Sequence, residues 1–217
     1  MDFTFGILGI VGGIVCACGD LLLDLKGKNN KKLGKYEIIN SKWEEMKIWR
    51  FKLSILLVMV GVPLYFLGLT SMASQLSIKN FSFGLAFWII SMIGSIGGFF
   101  IHVFICLLPI IYKTMQSTNE FLAIEQVINT IYGAIKIPFL VMYVLLVGIT
   151  SLMIMCAIFM GYLSLSPFAI LLTPLSLLII GVTLRRIKYD WFYDLPGIVM
   201  PSIGLSMIGL MSVLNMI

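Results

Sequence analysis

ILLVMVGVPLYFLGL, residues 55–69, holds no charged residue and no alternation of apolar with polar positions. A strand of a membrane barrel would run about ten residues with every second side chain polar, so this stretch reads as helix. It sits inside an apolar run over 51–74, and comparable runs occupy 3–25, 81–112, 137–162, 166–184 and 195–215. A hydrocarbon core of about 30 Å needs roughly 20 residues of helix. The pattern therefore predicts an all-α integral membrane protein, with residues 1–217 forming one six-transmembrane-helix bundle.

Composition agrees. The chain is 60% hydrophobic and 12% charged, against about 45–50% and 25% in ordinary soluble domains. Its first run is not a cleavable leader by pattern, because MDFTF carries Asp2 and no basic residue. Neither Cys16 nor Cys18 follows a convincing lipoprotein cleavage site, so the helices themselves are the expected anchors.

Basic residues set the expected orientation. Of the 15, nine fall in 26–52, Lys113 and Lys136 flank the connection after the third run, and Arg185, Arg186 and Lys188 follow the fifth. Only Lys79 falls on the other side. Lys/Arg-rich loops stay cytoplasmic, which places the N-terminus and C-terminus outside, the basic loop 26–50 inside, and the chain in the cell membrane as a multi-pass protein. The net charge of +5 then meets anionic lipid head groups, at about 1 kcal/mol per basic residue. Membrane lipids are the expected partners, and nucleic acid is not. Twelve lysines against three arginines suit an AT-rich bacterial genome.

Two connections have structure written into them. Ser41-Lys42-Trp43-Glu44 has the form of a capping box opening the second helix, with Trp43 and Trp49 as interfacial anchors. Beyond residue 113, Phe121, Ile124, Ile128 and Ile131 recur at helical spacing, with Glu120, Glu125 and Gln126 for a polar side. That predicts an interfacial amphipathic helix near 118–132.

Ionisable groups well inside the apolar runs are few: Asp20, Asp24 and His102. Counted back from Lys26 and Lys113 at about 1.5 Å per residue, Asp24 lies about 3 Å, Asp20 about 9 Å and His102 about 16 Å into the membrane. Asp24 is then a boundary residue within reach of Lys26 or Lys28. Asp20 needs protein or water around it. Gly9, Gly13, Ala17 and Asp20 follow one stripe of the first helix, and Gly94, Gly98 and His102 one stripe of the third. Small-residue stripes let membrane helices approach closely, so the expectation is a pairing of these helices with Gly13 near Gly98. It brings His102 within about a turn of Asp20, where a carboxylate and an imidazole can relay a proton or act as acid and base.

One histidine cannot furnish a catalytic zinc site, and Cys16 and Cys18 face opposite sides of a helix. No Walker, dinucleotide or nucleophile-elbow motif is present. No metal or cofactor is expected.

Gly19-Asp20-Leu21-Leu22-Leu23, with His102 and Tyr112 later in an apolar run, resembles the lysoplasmalogenase family of membrane hydrolases, which cleave the vinyl ether of lysoplasmalogens. That resemblance implies a role for Asp20, although the family has about eight helices and a second acidic motif not matched here. Through CGDLLLDLKGK (18–28) and LPGIVMPSIGLSMIGLMSVLN (195–215), the chain as a whole looks like the uncharacterised six-pass bacterial membrane families. That likeness implies architecture alone.

The reading these features favour is a polar cavity in the inner-leaflet half, lined by Asp20, Asp24, His102, Glu120 and Glu125, that binds a lipid or small amphiphile. The alternatives are a proton-coupled carrier using Asp20 and His102, a lysoplasmalogenase-like hydrolase, and a structural or accessory membrane subunit.

Overall fold

The computed structural model describes residues 2–116, 120–187 and 194–217. Lys188 and positions 118 and 119 of the expected interfacial helix lie outside them. The chain is almost wholly helical. In order it forms α1 (Asp2–Asp24), a small hairpin of β1 (Lys32–Leu33) and β2 (Ile39–Asn40), a 3-10 turn (Ser41–Glu44), α2 (Ile48–Lys79) and α3 (Phe81–Met115). Next come α4 (Phe121–Tyr143), a π segment (Val144–Ile149) and α5 (Thr150–Phe159), then a 3-10 helix (Pro167–Leu172), α6 (Pro174–Arg186) and α7 (Leu195–Leu214).

Five of the described helices are long and apolar enough to cross a membrane: α1, α2, α3, the run Phe121–Phe159, and α7. The sixth expected span, 166–184, is interrupted. Thr173 has an extended backbone with ψ 152° and precedes Pro174 at the first position of α6. Proline disfavours a helical residue before it but suits a helix's first turn. What remains is a 13-residue helix of about 20 Å. The longer stretch 164–186 nonetheless meets α7 at both ends: Ser164 N–H bonds Asn215 Oδ1 at 2.6 Å, and Arg185 Nη2 stands 4.0 Å from Asp194 Oδ1.

α1 runs antiparallel to α7, which brings the two chain ends to one end of the bundle. There Ser71 Oγ donates to the Asp2 carbonyl at 2.8 Å and lies 2.6 Å from Ser212 Oγ. Gln75 Nε2 donates to Ser212 Oγ at 2.7 Å, and Asn215 Nδ2 to Gln75 Oε1 at 2.7 Å. In lipid such groups have no water to turn to, so they bond one another.

The glycine stripe of α1 packs on α2 and α7 rather than on α3. A Cβ added at Gly9 would meet Gly68 Cα at 2.5 Å and Gly209 Cα at 3.3 Å, and one at Gly13 would meet Ser206 N at 2.4 Å. Gly94 instead takes Leu146 of the π segment, whose Cβ would lie 2.9 Å from an added Cβ. The expected Gly13–Gly98 crossing is therefore replaced by a three-glycine crossing of α1, α2 and α7.

The basic loop is ordered at its start by the hairpin, with Lys32 opposite Asn40 and Leu33 opposite Ile39. The expected capping box does not form. Ser41 Oγ accepts from Lys31 N–H at 2.9 Å, Glu44 Oε1 from Tyr112 O–H at 2.9 Å, and α2 begins later, at Ile48. Trp43 is buried at 4% exposure and packs edge-on to Tyr112 with ring centroids 5.9 Å apart, so only Trp49, 53% exposed, keeps an outward place.

Nor is there a separate interfacial helix. Residues 121–143 form one helix that continues past Gly133 and Pro138. Its apolar positions Ile124 and Ile128 are buried with Ile39, Trp43 and Tyr112. These two positions face protein, while Phe121 at the start of the stripe is exposed.

Candidate functional site

Asp20 and His102 meet although their glycine stripes do not: His102 Nδ1 lies 3.4 Å from Asp20 Oδ1. Their side chains are only 24% and 11% exposed. α2 makes the junction. Gly19 allows α1 to settle on Val58 and Ser54, where an added Cβ would come within 2.9 Å of Val58 Cγ2. Ser54 Oγ then donates to the Gly19 carbonyl at 2.8 Å and stands 2.8 Å from His102 Nε2. From α7, Ser202 Oγ donates to Asp20 Oδ2 at 2.5 Å.

A carbonyl can only accept, so when Ser54 gives its proton to Gly19, Nε2 carries the hydrogen that points at Ser54 Oγ; a bare Nε2 goes with Ser54 donating to it instead. With Nε2 protonated, Nδ1 faces Oδ1 across 3.4 Å, longer than an ordinary hydrogen bond, and one further proton, held on either group, makes the pair neutral. As an imidazolium beside a carboxylate or as a neutral pair, the unit is uncharged, which is the state a low-dielectric interior favours. Removing that proton leaves a net negative charge, and adding a second leaves a net positive one.

The pair borders a partly open cavity of about 220 Å³. Its walls are mostly apolar and aromatic, including Tyr65, Phe139, Met142, Tyr143 and Leu205, with Asp20, His102 and Ser202 as the polar group. The π segment supplies Leu146 and Val147. Such widened turns interrupt the regular ladder and are frequent beside functional sites. Cys16, buried, faces the same space, while Cys18 is exposed.

Asp24 reaches the cavity's edge but forms an ion pair with Lys26. Between them, Arg50 closes the end of α1: its Nε donates to the Leu22 carbonyl at 3.1 Å and Nη2 to the Leu25 carbonyl at 3.2 Å. These are orphan acceptors of a helix C-terminus.

The two glutamates do not belong to this cavity. Glu125 is buried beneath the hairpin, where Oε1 accepts from Tyr36 N–H at 3.2 Å. Gly34 of the turn, at φ +79°, lies so close that an added Cβ would stand 2.2 Å from that oxygen. Glu120 precedes α4 and is exposed. Sequence reasoning missed Ser54, Ser202 and Arg50. Lone serines inside apolar runs are the signal that was available, since such residues bond across membrane helices.

No curated protein and no solved structure matches the chain. The family model that does match covers residues 2–217, and the chain belongs to that family, DUF6796, a family of unknown function.

Proposed function

We propose that this is a six-crossing protein of the cell membrane, with both termini outside, that binds a small cationic amphiphile at Asp20 and exchanges it for the proton that keeps the Asp20–His102 pair neutral. The observation that carries the reading is the partly open 220 Å³ cavity with an acid and an imidazole 3.4 Å apart in its wall. Drug-sized ligands occupy pockets of about 300–1,000 Å³, so the volume suits a short-chain molecule better than a whole phospholipid. An ammonium group at the carboxylate compensates its charge, and the pair's proton is then free to leave. Proton exchange of this kind is what a proton-coupled carrier requires.

The crossing number is supported by the contacts that the stretch 164–186 makes with both ends of α7 and by both chain ends lying at one end of the bundle. Orientation rests on the concentration of basic residues near the opposite end.

The test is binding of hexylammonium against the uncharged hexanol by the full chain in phosphatidylcholine nanodiscs. The wild type prefers hexylammonium, and Asp20→Asn removes that preference while leaving hexanol binding unchanged. Equal affinities for the two probes in the wild type overturn the reading. A hydrolase would instead turn over a vinyl-ether lipid, and lose that turnover with Asp20→Asn.

A further inference from the structure

A second cavity, of about 240 Å³, lies under the hairpin. Lys26, Lys32 and Glu37 line it together with Trp43 and the apolar Leu23 and Leu108. It adjoins the first cavity, since Leu23, Asp24 and Ile105 border both. Its composition differs, with Lys26 and Lys32 beside the acids Asp24 and Glu37 on its polar side and apolar residues of α1 and α3 on the other.

Lys26 is already paired with Asp24. Lys32 has no ion pair and no side-chain hydrogen bond among the described residues. Lys32 is an exposed residue that the cavity walls screen from water only in part; this partial burial pulls its pKa below the ordinary lysine value, Lys26 repels it further, and Asp24 and Glu37 compensate in part. The cavity thus holds a cation that makes no ion pair within 4 Å among the described residues, although Asp24 and Glu37 share its walls. Trp43, 4% exposed, adds a buried Nε1–H that has no hydrogen-bond partner among the described residues.

We propose that this cavity seats the phosphate of an anionic phospholipid, with Lys32 as its main counter-ion and the start of an acyl chain along Leu23 and Leu108. Both halves of the lipid find their match: a charged oxygen cluster for the ammonium, and hydrocarbon for the apolar side. Phosphate oxygens accept from ammonium donors with charge assistance. The site does not depend on the Asp20–His102 reading, and Asp20 variants leave it intact.

The full chain in phosphatidylcholine nanodiscs, titrated with phosphatidylglycerol carrying brominated acyl chains, tests it through tryptophan quenching. Subtracting the signal of Trp43→Phe isolates the residue at the cavity wall. Quenching of Trp43 saturates with phosphatidylglycerol well before brominated phosphatidylcholine has an equal effect. Lys32→Ala weakens it about fivefold, and Lys32→Arg restores it, which separates lost charge from lost fold. Lys35→Ala is the decisive control, because Lys35 lies in the same hairpin, over the Tyr36 ring at 5.8 Å, and does not line the cavity. An effect of Lys35→Ala as large as that of Lys32→Ala would mean a diffuse basic surface and overturn the site. So would equal quenching by the two lipids, or full displacement of phosphatidylglycerol by inorganic phosphate, which would make the ligand a free anion.

Discussion

Ser54 Oγ stands 2.8 Å from His102 Nε2 while donating to the Gly19 carbonyl. One hydroxyl from α2 thereby fixes the imidazole of α3 against the carboxylate of α1. Orientation of a histidine by the bond on its far nitrogen decides which nitrogen is left for chemistry.

Ser54→Ala removes that tie and leaves a buried imidazole N–H without its acceptor. Interhelical bonds in membranes are individually modest, about 0.6 kcal/mol on average, but an unsatisfied buried donor costs about 1–3 kcal/mol. The expected loss is about 1–2 kcal/mol, read as a lower unfolding midpoint in detergent. Ser54→Thr, which keeps the hydroxyl, should lose the hydrogen bond less completely than Ser54→Ala.

The three-glycine crossing gives a sharp contrast between positions. Gly9→Ala drives a methyl to 2.5 Å from the Gly68 backbone, and overpacking of this kind costs about 1–3 kcal/mol. Gly98→Ala meets nothing closer than 3.6 Å, and Gly133→Ala nothing within 4 Å. Both should fold as well as the wild type or slightly better, since alanine is favoured over glycine in helices by about 1 kcal/mol. A Gly98→Ala penalty matching that of Gly9→Ala would instead favour the direct α1–α3 pairing.

Arg50→Ala should fray the end of α1. Its guanidinium serves carbonyls of Leu21, Leu22 and Leu25, so hydrogen exchange over residues 21–27 should quicken. Arg50→Lys recovers little of the protection, because one ammonium cannot present the same planar fork of donors.

Much of this was legible in the sequence, for reasons that also explain the failures. Hydrophobic run length is a bulk property, and it located the five long helices without any knowledge of their neighbours. The glycine stripe at Gly9 and Gly13 was equally visible, but a stripe says that something packs there and not what. Gly68 and Gly209 are just as small, and they took the place expected of Gly98. Asp20 and His102 came together by another route, through a serine that composition alone does not single out. Periodicity at Ile124 and Ile128 was correct as a helix, yet the same spacing suits lipid or protein, and the hairpin that covers it contains too few residues to announce itself. Glu125 shows the consequence: a residue assigned to a polar face is buried under the turn at Gly34. In the stretch 166–184 the decisive residue was Pro174, whose effect on Thr173 outweighs a continuous apolar run.

The chain contains a single histidine, so ¹⁵N spectra of histidine-labelled protein in nanodiscs report on the Asp20–His102 unit alone. The account predicts a protonated Nε2 in every state near neutral pH, with an Nδ1 resonance that shifts on addition of hexylammonium and does not shift in Asp20→Asn. A neutral ring carrying its hydrogen on Nδ1, with Nε2 bare and no response to the probe, would contradict it.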